Sequence, residues 1–213
     1  MDQKALTEAI SFLCDRDPVL AYLHRRVGTP AVRRLTPDFG GLARIVVDQV
    51  VSVAAGAALW KRLEIASETE ARPLRSLDIV RLGPAGLRAC GLSGGKCRTL
   101  MGLAAAEADG RLDFEALTVQ SDEQAVKDLC GLHGVGPWTA EVFLMFGLGR
   151  PDVWPAGDLA LRIAVERFFA QPERPSIKQM REISEQWKPH RSAAALLLWK
   201  AYSHDRPSTK RSR

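Results

Sequence analysis

Residues 129–169 read LCGLHGVGPWTAEVFLMFGLGRPDVWPAGDLALRIAVERFF, and the rest of the chain can be placed around them. A glycine-punctuated turn over 132–136 follows a predicted helix. A second helix is expected from Pro137, because proline lacks the N–H group that the first helical position leaves unpaired. A Gly/Pro-rich bend over 147–157 then leads to Asp158 and a third predicted helix. The pattern predicts a glycine hairpin between two helices, followed by a single carboxylate at a helix start.

Bulk composition limits the classes of protein that fit. The chain has 213 residues, a formal net charge of +5 and a pI of about 9.2. The charge suits an anionic partner, but charge alone favours the simpler explanation of ordinary solubility. The four cysteines form no C-x-x-C pair, which favours reduced thiols over a metal cluster. With no secretory leader and no apolar run near the roughly 18 residues of a membrane helix, we expect a soluble intracellular protein.

Apolar residues recur at helical spacing along most of the chain, and no segment alternates with period two. This pattern predicts an all-α protein of roughly ten short helices. Capping residues set several boundaries, with Ser121 and Gln124 predicted to form one capping box and Ser176 with Gln179 another. The predicted helices fall within residues 3–14, 18–28, 40–47, 52–66, 72–83, 84–89, 93–107, 121–132, 138–149, 160–169 and 190–202, and a further helix begins at the Ser176 capping box.

The Gly-Val-Gly turn between two helices resembles a helix-hairpin-helix, and WPAGDLALR resembles the loop and aspartate of the helix-hairpin-helix DNA glycosylases. The amino-acid sequence of these segments is most similar to the 3-methyladenine DNA glycosylase II (AlkA-like) branch. Segments 43–63, 91–104 and 187–199 extend the resemblance, in order, over most of the chain.

The resemblance implies an all-α, two-lobed helix-hairpin-helix glycosylase fold, without the N-terminal β-rich domain that relatives often carry. Residues 1–205 would form a single compact unit. One lobe would span about 30–125, and the other would combine 1–29 with 126–205 and contain the hairpin at 130–138. Residues 206–213 form a basic, Pro/Ser-containing end that we expect to be disordered.

Asp158 is the catalytic residue that the resemblance implies. Taken alone, an aspartate after glycine and before a helix is simply an N-cap. In a glycosylase, a carboxylate can stabilise the positive charge that develops on the sugar when the glycosidic bond breaks. An alkylated purine is already cationic and leaves readily, so no second carboxylate acting as general acid is needed. The resemblance implies release of the base without a metal or organic cofactor.

The pocket for the base would involve Trp138, Trp199, Val142 and His190. Bifunctional relatives carry a lysine nucleophile where this chain has Trp138, so we expect a monofunctional enzyme. Trp138 and Trp199 match positions that line the base pocket, where indole faces attract a cationic base. Val142 replaces an aromatic residue, and His190 replaces a tryptophan. From the residues alone, the tryptophans could equally be core residues and His190 a structural histidine.

DNA contacts are expected at three places. The hairpin, through Gly134, Val135, Gly136 and Thr139, would bind phosphates with backbone amides. The resemblance also implies a monovalent cation held by backbone carbonyls near Leu132 and Val135. The alternative is that these glycines only form a turn between two helices and have no role in DNA binding.

The turn at 48–51 matches the intercalating loop, with Gln49 beside Val50 at the wedge position. A buried role for Val50 is the alternative. Ser93, Gly94 and Lys96 resemble a second phosphate-binding turn, and a capped helix start accounts for them equally well.

These expectations lead to a monofunctional DNA N-glycosylase that excises alkylated purines such as 3-methyladenine, and also 7-methylguanine, from duplex DNA. Its partner would be double-stranded DNA containing alkylated bases, and we expect a monomer that does not associate with membranes. It would act in the cytoplasm, or in the nucleus if the source is eukaryotic. Two alternatives stay open: a glycosylase for deaminated or oxidised neutral bases, and a non-catalytic helix-hairpin-helix DNA-binding module.

Overall fold

The computed structural model describes residues 1–205, and the predicted tail at 206–213 lies outside them. Over residues 1–205 the chain forms twelve α-helices and one 3-10 turn, with no strand. The all-α prediction is confirmed. No helix in this range is long and apolar enough to cross a membrane.

The helices group into two compact units. The middle unit comprises Arg34–Leu148, and the terminal unit comprises residues 1–33 together with residues 149–205. The hairpin belongs to the middle unit, which differs from the sequence prediction that put it with the two ends of the chain. The reason is packing, since the hairpin helices pack on each other and the second of them packs on the helix Phe39–Asp48.

The terminal unit contains five α-helices and the 3-10 turn Glu185–Trp187. The α-helices are α1 (Gln3–Cys14), α2 (Pro18–Val27), α10 (Leu159–Phe168), α11 (Ile177–Ser184) and α12 (Arg191–His204). Asp17 illustrates how local sequence and packing combine here. One of its carboxylate oxygens caps α2, and the other accepts a hydrogen bond from the indole of the buried Trp187 at 2.9 Å. The cap therefore also satisfies a polar group in the core.

The middle unit contains seven helices. They are α3 (Phe39–Asp48), α4 (Val53–Ser67), α5 (Ser76–Ala89), α6 (Gly94–Ala108), α7 (Phe114–Val119), α8 (Asp122–Cys130) and α9 (Pro137–Phe146). α3 packs against α4, α6 and α9 and is buried along most of its length. Helix α9 starts at the expected proline and is largely buried, as its apolar sequence predicts.

Capping residues set the helix boundaries largely as predicted. Ser176 and Gln179 form the reciprocal capping box. Ser121 caps α8 through the N–H of Gln124, but the Gln124 side chain donates to Asp128 rather than completing a box. Gly83, at φ 61°, interrupts α5 between the two helices predicted there.

Candidate active site and DNA-contact elements

Asp158 occupies the N-cap of α10, and α12 lies beside it. The carboxylate oxygen Oδ1 accepts a hydrogen bond from the backbone N–H of Leu161 at 2.8 Å. The same oxygen accepts a second bond from the indole N–H of Trp199 at 2.9 Å. Two sequence-predicted site residues, Asp158 and Trp199, are thus in direct contact. Both are partly exposed.

The loop that leads to Asp158 is held by the start of α12. The buried Ser192 hydroxyl donates to the carbonyl of Arg150 at 2.8 Å and accepts the N–H of Val153 at 3.0 Å. The guanidinium of Arg191 binds both carboxylate oxygens of Asp152, at 2.9 and 3.0 Å. Sequence reasoning missed Ser192 and Arg191, because a serine and an arginine at a helix start do not indicate partners so far away in the chain.

The charge of the Asp158 carboxylate is favourably placed. The first turn of α10 presents N–H groups without intrahelical acceptors and carries the positive end of the helix dipole, so a negative charge at this cap is stabilised. Two donors on one oxygen also restrict rotation of the carboxylate. A carboxylate fixed in this way can stabilise positive charge that develops on a bound sugar.

His190 lies at the start of α12, where its ring meets Phe12 of α1 edge-on, with ring centroids 4.8 Å apart. The guanidinium of Arg16 covers the Phe12 ring at 3.6 Å. This contact with α1 accords with the structural interpretation of His190, and its role in a base pocket stays a prediction.

The hairpin is built around a close approach to α6. Gly134 has φ 79°, a conformation that favours glycine, and a Cβ atom there would collide with the side chain of Thr99. The N–H of Val135 donates to the carbonyl of Leu132 at 3.1 Å, closing the turn. Gly136 is the N-cap of α9, whose first turn offers backbone N–H groups of the kind that bind phosphate.

The remaining predicted residues of α9 differ in exposure. Trp138 is partly exposed in the first turn, whereas the Val142 side chain is buried. Thr139 is only 2% exposed, and its hydroxyl accepts a hydrogen bond from Gln49 at 2.8 Å. Any phosphate contact at Thr139 would therefore come from its backbone. Trp138 and Val142 belong to the middle unit, and Asp158 and Trp199 to the terminal unit.

The turn between α3 and α4 presents an apolar side chain to solvent. Val50 is fully exposed and has φ 53°, which is unusual for a β-branched residue. The alternative in which Val50 is a core residue is therefore wrong. A strained residue of this kind persists only where its surroundings hold it.

Ser93 caps α6, accepting the N–H of Lys96 at 3.3 Å. The ammonium of Lys96 donates to the carbonyl of Val47 at 2.7 Å, at the end of α3. Burial lowers the pKa of Lys96, and the nearby carboxylate of Asp48 partly opposes this shift. The side chain predicted to hold phosphate is thus already bound to the end of α3, next to the turn at 48–51, whereas Ser93 and Gly94 lie at the exposed helix start.

Within residues 1–205, no three His, Cys, Asp or Glu side chains are grouped so that they could hold a metal ion. Burial raises the pKa values of Cys14, Cys90 and Cys130, so these thiols are poorly suited to act as nucleophiles.

Comparison with known proteins identifies the family of this chain. Residues 43–190 match the family described as HhH-GPD superfamily base excision DNA repair protein. DNA-3-methyladenine glycosylase 1 of Schizosaccharomyces pombe is 32% identical over 164 residues, which is 75% of this chain and 70% of that protein. Putative DNA-3-methyladenine glycosylase YfjP of Bacillus subtilis is 39% identical over 94 residues, which is 44% of this chain but only 33% of that protein.

A solved structure shares the fold. It is the S. pombe 3-methyladenine DNA glycosylase Mag1 in complex with abasic DNA, with a TM-score of 0.83 and 29% sequence identity. The match covers 91% of this chain and 95% of that one.

Proposed function

We propose that this chain, which belongs to the HhH-GPD superfamily of base excision DNA repair proteins, is a monofunctional DNA N-glycosylase for alkylated purines such as 3-methyladenine. The observation that carries the proposal is the Asp158 carboxylate, capped onto α10 and bound by the Trp199 indole. Relatives named as 3-methyladenine glycosylases support the substrate class.

The reaction would be hydrolysis of the bond between C1′ of the sugar and the nitrogen of the base. The alkylated purine leaves as a neutral base, taking the bonding electrons, and the sugar becomes positively charged. Asp158 would stabilise that charge. A water oxygen then bonds to C1′ and loses its proton to Asp158 or to solvent, so the products are free base and an abasic site.

Selection of the base would rest on its positive charge. An indole face attracts a cation, whereas a neutral base gains only stacking. Trp199, which is partly exposed and donates to Asp158, would supply such a face. Because Trp138 stands where bifunctional relatives have lysine, the chain lacks the amine at that position that would form a Schiff base, and strand cleavage is not expected.

DNA would be bound through its backbone by the hairpin amides around Gly134 and Gly136, which contact phosphates without reading sequence. The Val50 side chain would fill the gap left by the everted base. We propose that a monomer carries out these steps.

A second candidate function is excision of a neutral deaminated or oxidised base. It is favoured by Val142, since an aliphatic residue where relatives carry an aromatic one offers less to attract a cation. Such a base is a poorer leaving group and would need protonation as it departs.

Base release from duplex DNA distinguishes these functions. Methylated DNA and a hypoxanthine-containing duplex are incubated with the protein, free bases are separated by chromatography, and strands are analysed before and after alkali. Release of 3-methyladenine with breaks only after alkali is the expected result. Release of hypoxanthine alone would favour the second candidate, and strand breaks before alkali would contradict the monofunctional assignment.

A further inference from the structure

The side chain of Gln49, beside the exposed Val50, points to the hairpin. Its amide nitrogen donates to the carbonyl of Gly134 at 3.3 Å and to the hydroxyl of Thr139 at 2.8 Å. A backbone carbonyl can only accept, so the NH₂ group and not the amide oxygen must face the hairpin. One side chain thus joins the turn at 48–51, which we call the wedge turn, to the hairpin and to the first turn of α9.

Lys96 holds the end of α3 that leads into the wedge turn. Its ammonium binds the carbonyl of Val47, the residue two before Gln49. Next to it, Arg44 donates to the carboxylate of Asp48 at 2.9 Å. Asp48 also lies so close to Gly56 of α4 that a Cβ atom there would collide with it. The backbone on the α3 side of the wedge is therefore fixed from α3, α4 and α6.

These contacts explain how a valine stays exposed with a left-handed backbone. Left to itself, a β-branched residue avoids this conformation and an apolar side chain avoids water. Gln49 and Lys96 hold the residues before Val50 while Ser52 caps α4 after it. The wedge is consequently preorganised relative to the hairpin, both within the middle unit.

We propose that Gln49 and Lys96 are positioning residues that join the Val50 wedge to the phosphate-binding hairpin, so that seating the hairpin on the backbone and inserting the wedge occur as one event. The inference rests on the proposed DNA-binding function. In this proposal Gln49 acts by its hydrogen bonds to Gly134 and Thr139, and it does not contact DNA. The ammonium of Lys96 likewise binds the carbonyl of Val47 and not a phosphate.

A double-mutant cycle tests the Gln49 assignment. Gln49→Met, Thr139→Val and the double variant are compared with the wild type for eversion of 2-aminopurine in duplex DNA, followed by fluorescence at saturating protein. Gln49→Met should reduce the everted fraction about three- to tenfold, as expected for loss of a neutral hydrogen bond. Thr139→Val should reproduce part of that loss, and the double variant should be no worse than Gln49→Met. Thr139→Ser, which keeps the hydroxyl, should lose less eversion than Thr139→Val.

Two controls separate positioning from general damage. Gln124→Met changes an exposed glutamine on α8 and should leave eversion unchanged, and urea unfolding should show all variants folded. Lys96→Met independently tests the hydrogen bond between Lys96 and the carbonyl of Val47. It should lower eversion while changing the salt dependence of binding little, because no phosphate contact is lost.

Other outcomes would overturn the inference. If Thr139→Val is neutral while Gln49→Met is damaging, or if their effects add, Gln49 acts on DNA directly. A fall of about one in the salt slope for Lys96→Met would show a phosphate contact instead. Eversion requires no excision, so the cycle can succeed even if the wild type releases no alkylated base, and that failure would count only against the proposed function.

Discussion

Replacing Trp199 with phenylalanine separates the two roles that its indole could have. The substitution removes the N–H group that donates to Asp158 Oδ1 at 2.9 Å but keeps an aromatic face for a base. The hydrogen bond from the N–H of Leu161 is untouched, so Asp158 should still cap α10. Its carboxylate should rotate more freely.

The expected size of the effect follows from that one bond. A hydrogen bond to a charged group contributes about 1.5–3 kcal/mol. Because Asp158 and Trp199 are partly exposed, we expect the lower end of this range, which corresponds to about a tenfold slower reaction. The loss should appear in the single-turnover rate at saturating protein, and the affinity for an abasic-analogue duplex should change little.

Excision rates on two substrates distinguish the two roles of Trp199, which are orienting the carboxylate and stacking on the base. If Trp199 positions Asp158, the variant should excise cationic 7-methylguanine and neutral hypoxanthine more slowly by similar factors, wherever the wild type acts on both. A loss confined to the cationic base would mean that the indole acts through its face. A near-wild-type rate on every substrate would refute the reasoning.

Two further predictions concern stability. Gly134→Ala should lower the free energy of unfolding by about 1–3 kcal/mol more than Gly110→Ala, because both glycines have positive φ but only at Gly134 would the new Cβ collide with Thr99; urea unfolding measures both. The bond from Arg72 holds the pKa of Asp78 below its usual value. The stability it contributes is therefore present above the unfolded pKa, near 4, and is lost as pH falls through the folded one, so the deficit of Asp78→Asn should be clear at pH 7 and shrink at pH 3.

Local signals predicted much of this fold. Pro137, Asp158 and the serine caps mark helix starts through chemistry confined to a few neighbouring residues, and those starts lie where expected. Helix α7 was missed because six residues are too few to show a helical period, and only its Asp113 cap was available as a signal.

Long-range contacts are what the sequence could not show. The hydrogen bond of Trp199 to Asp158 joins α12 to α10, and that of Gln49 to Thr139 joins the wedge turn to α9. Such pairs depend on how helices pack, which no local pattern encodes. The same limitation explains Lys96, whose position at a glycine-rich helix start indicated a phosphate ligand, although its ammonium binds the Val47 carbonyl.

The most direct test of the central claim compares wild type with Asp158→Asn. Asparagine keeps an oxygen that can accept the bonds from Leu161 and Trp199, so the loop and α10 should persist while the negative charge is lost. Release of 3-methyladenine from methylated duplex DNA would be measured beside binding to an abasic-analogue duplex. We predict binding close to that of the wild type with excision abolished. Excision near the wild-type rate by Asp158→Asn would contradict the account.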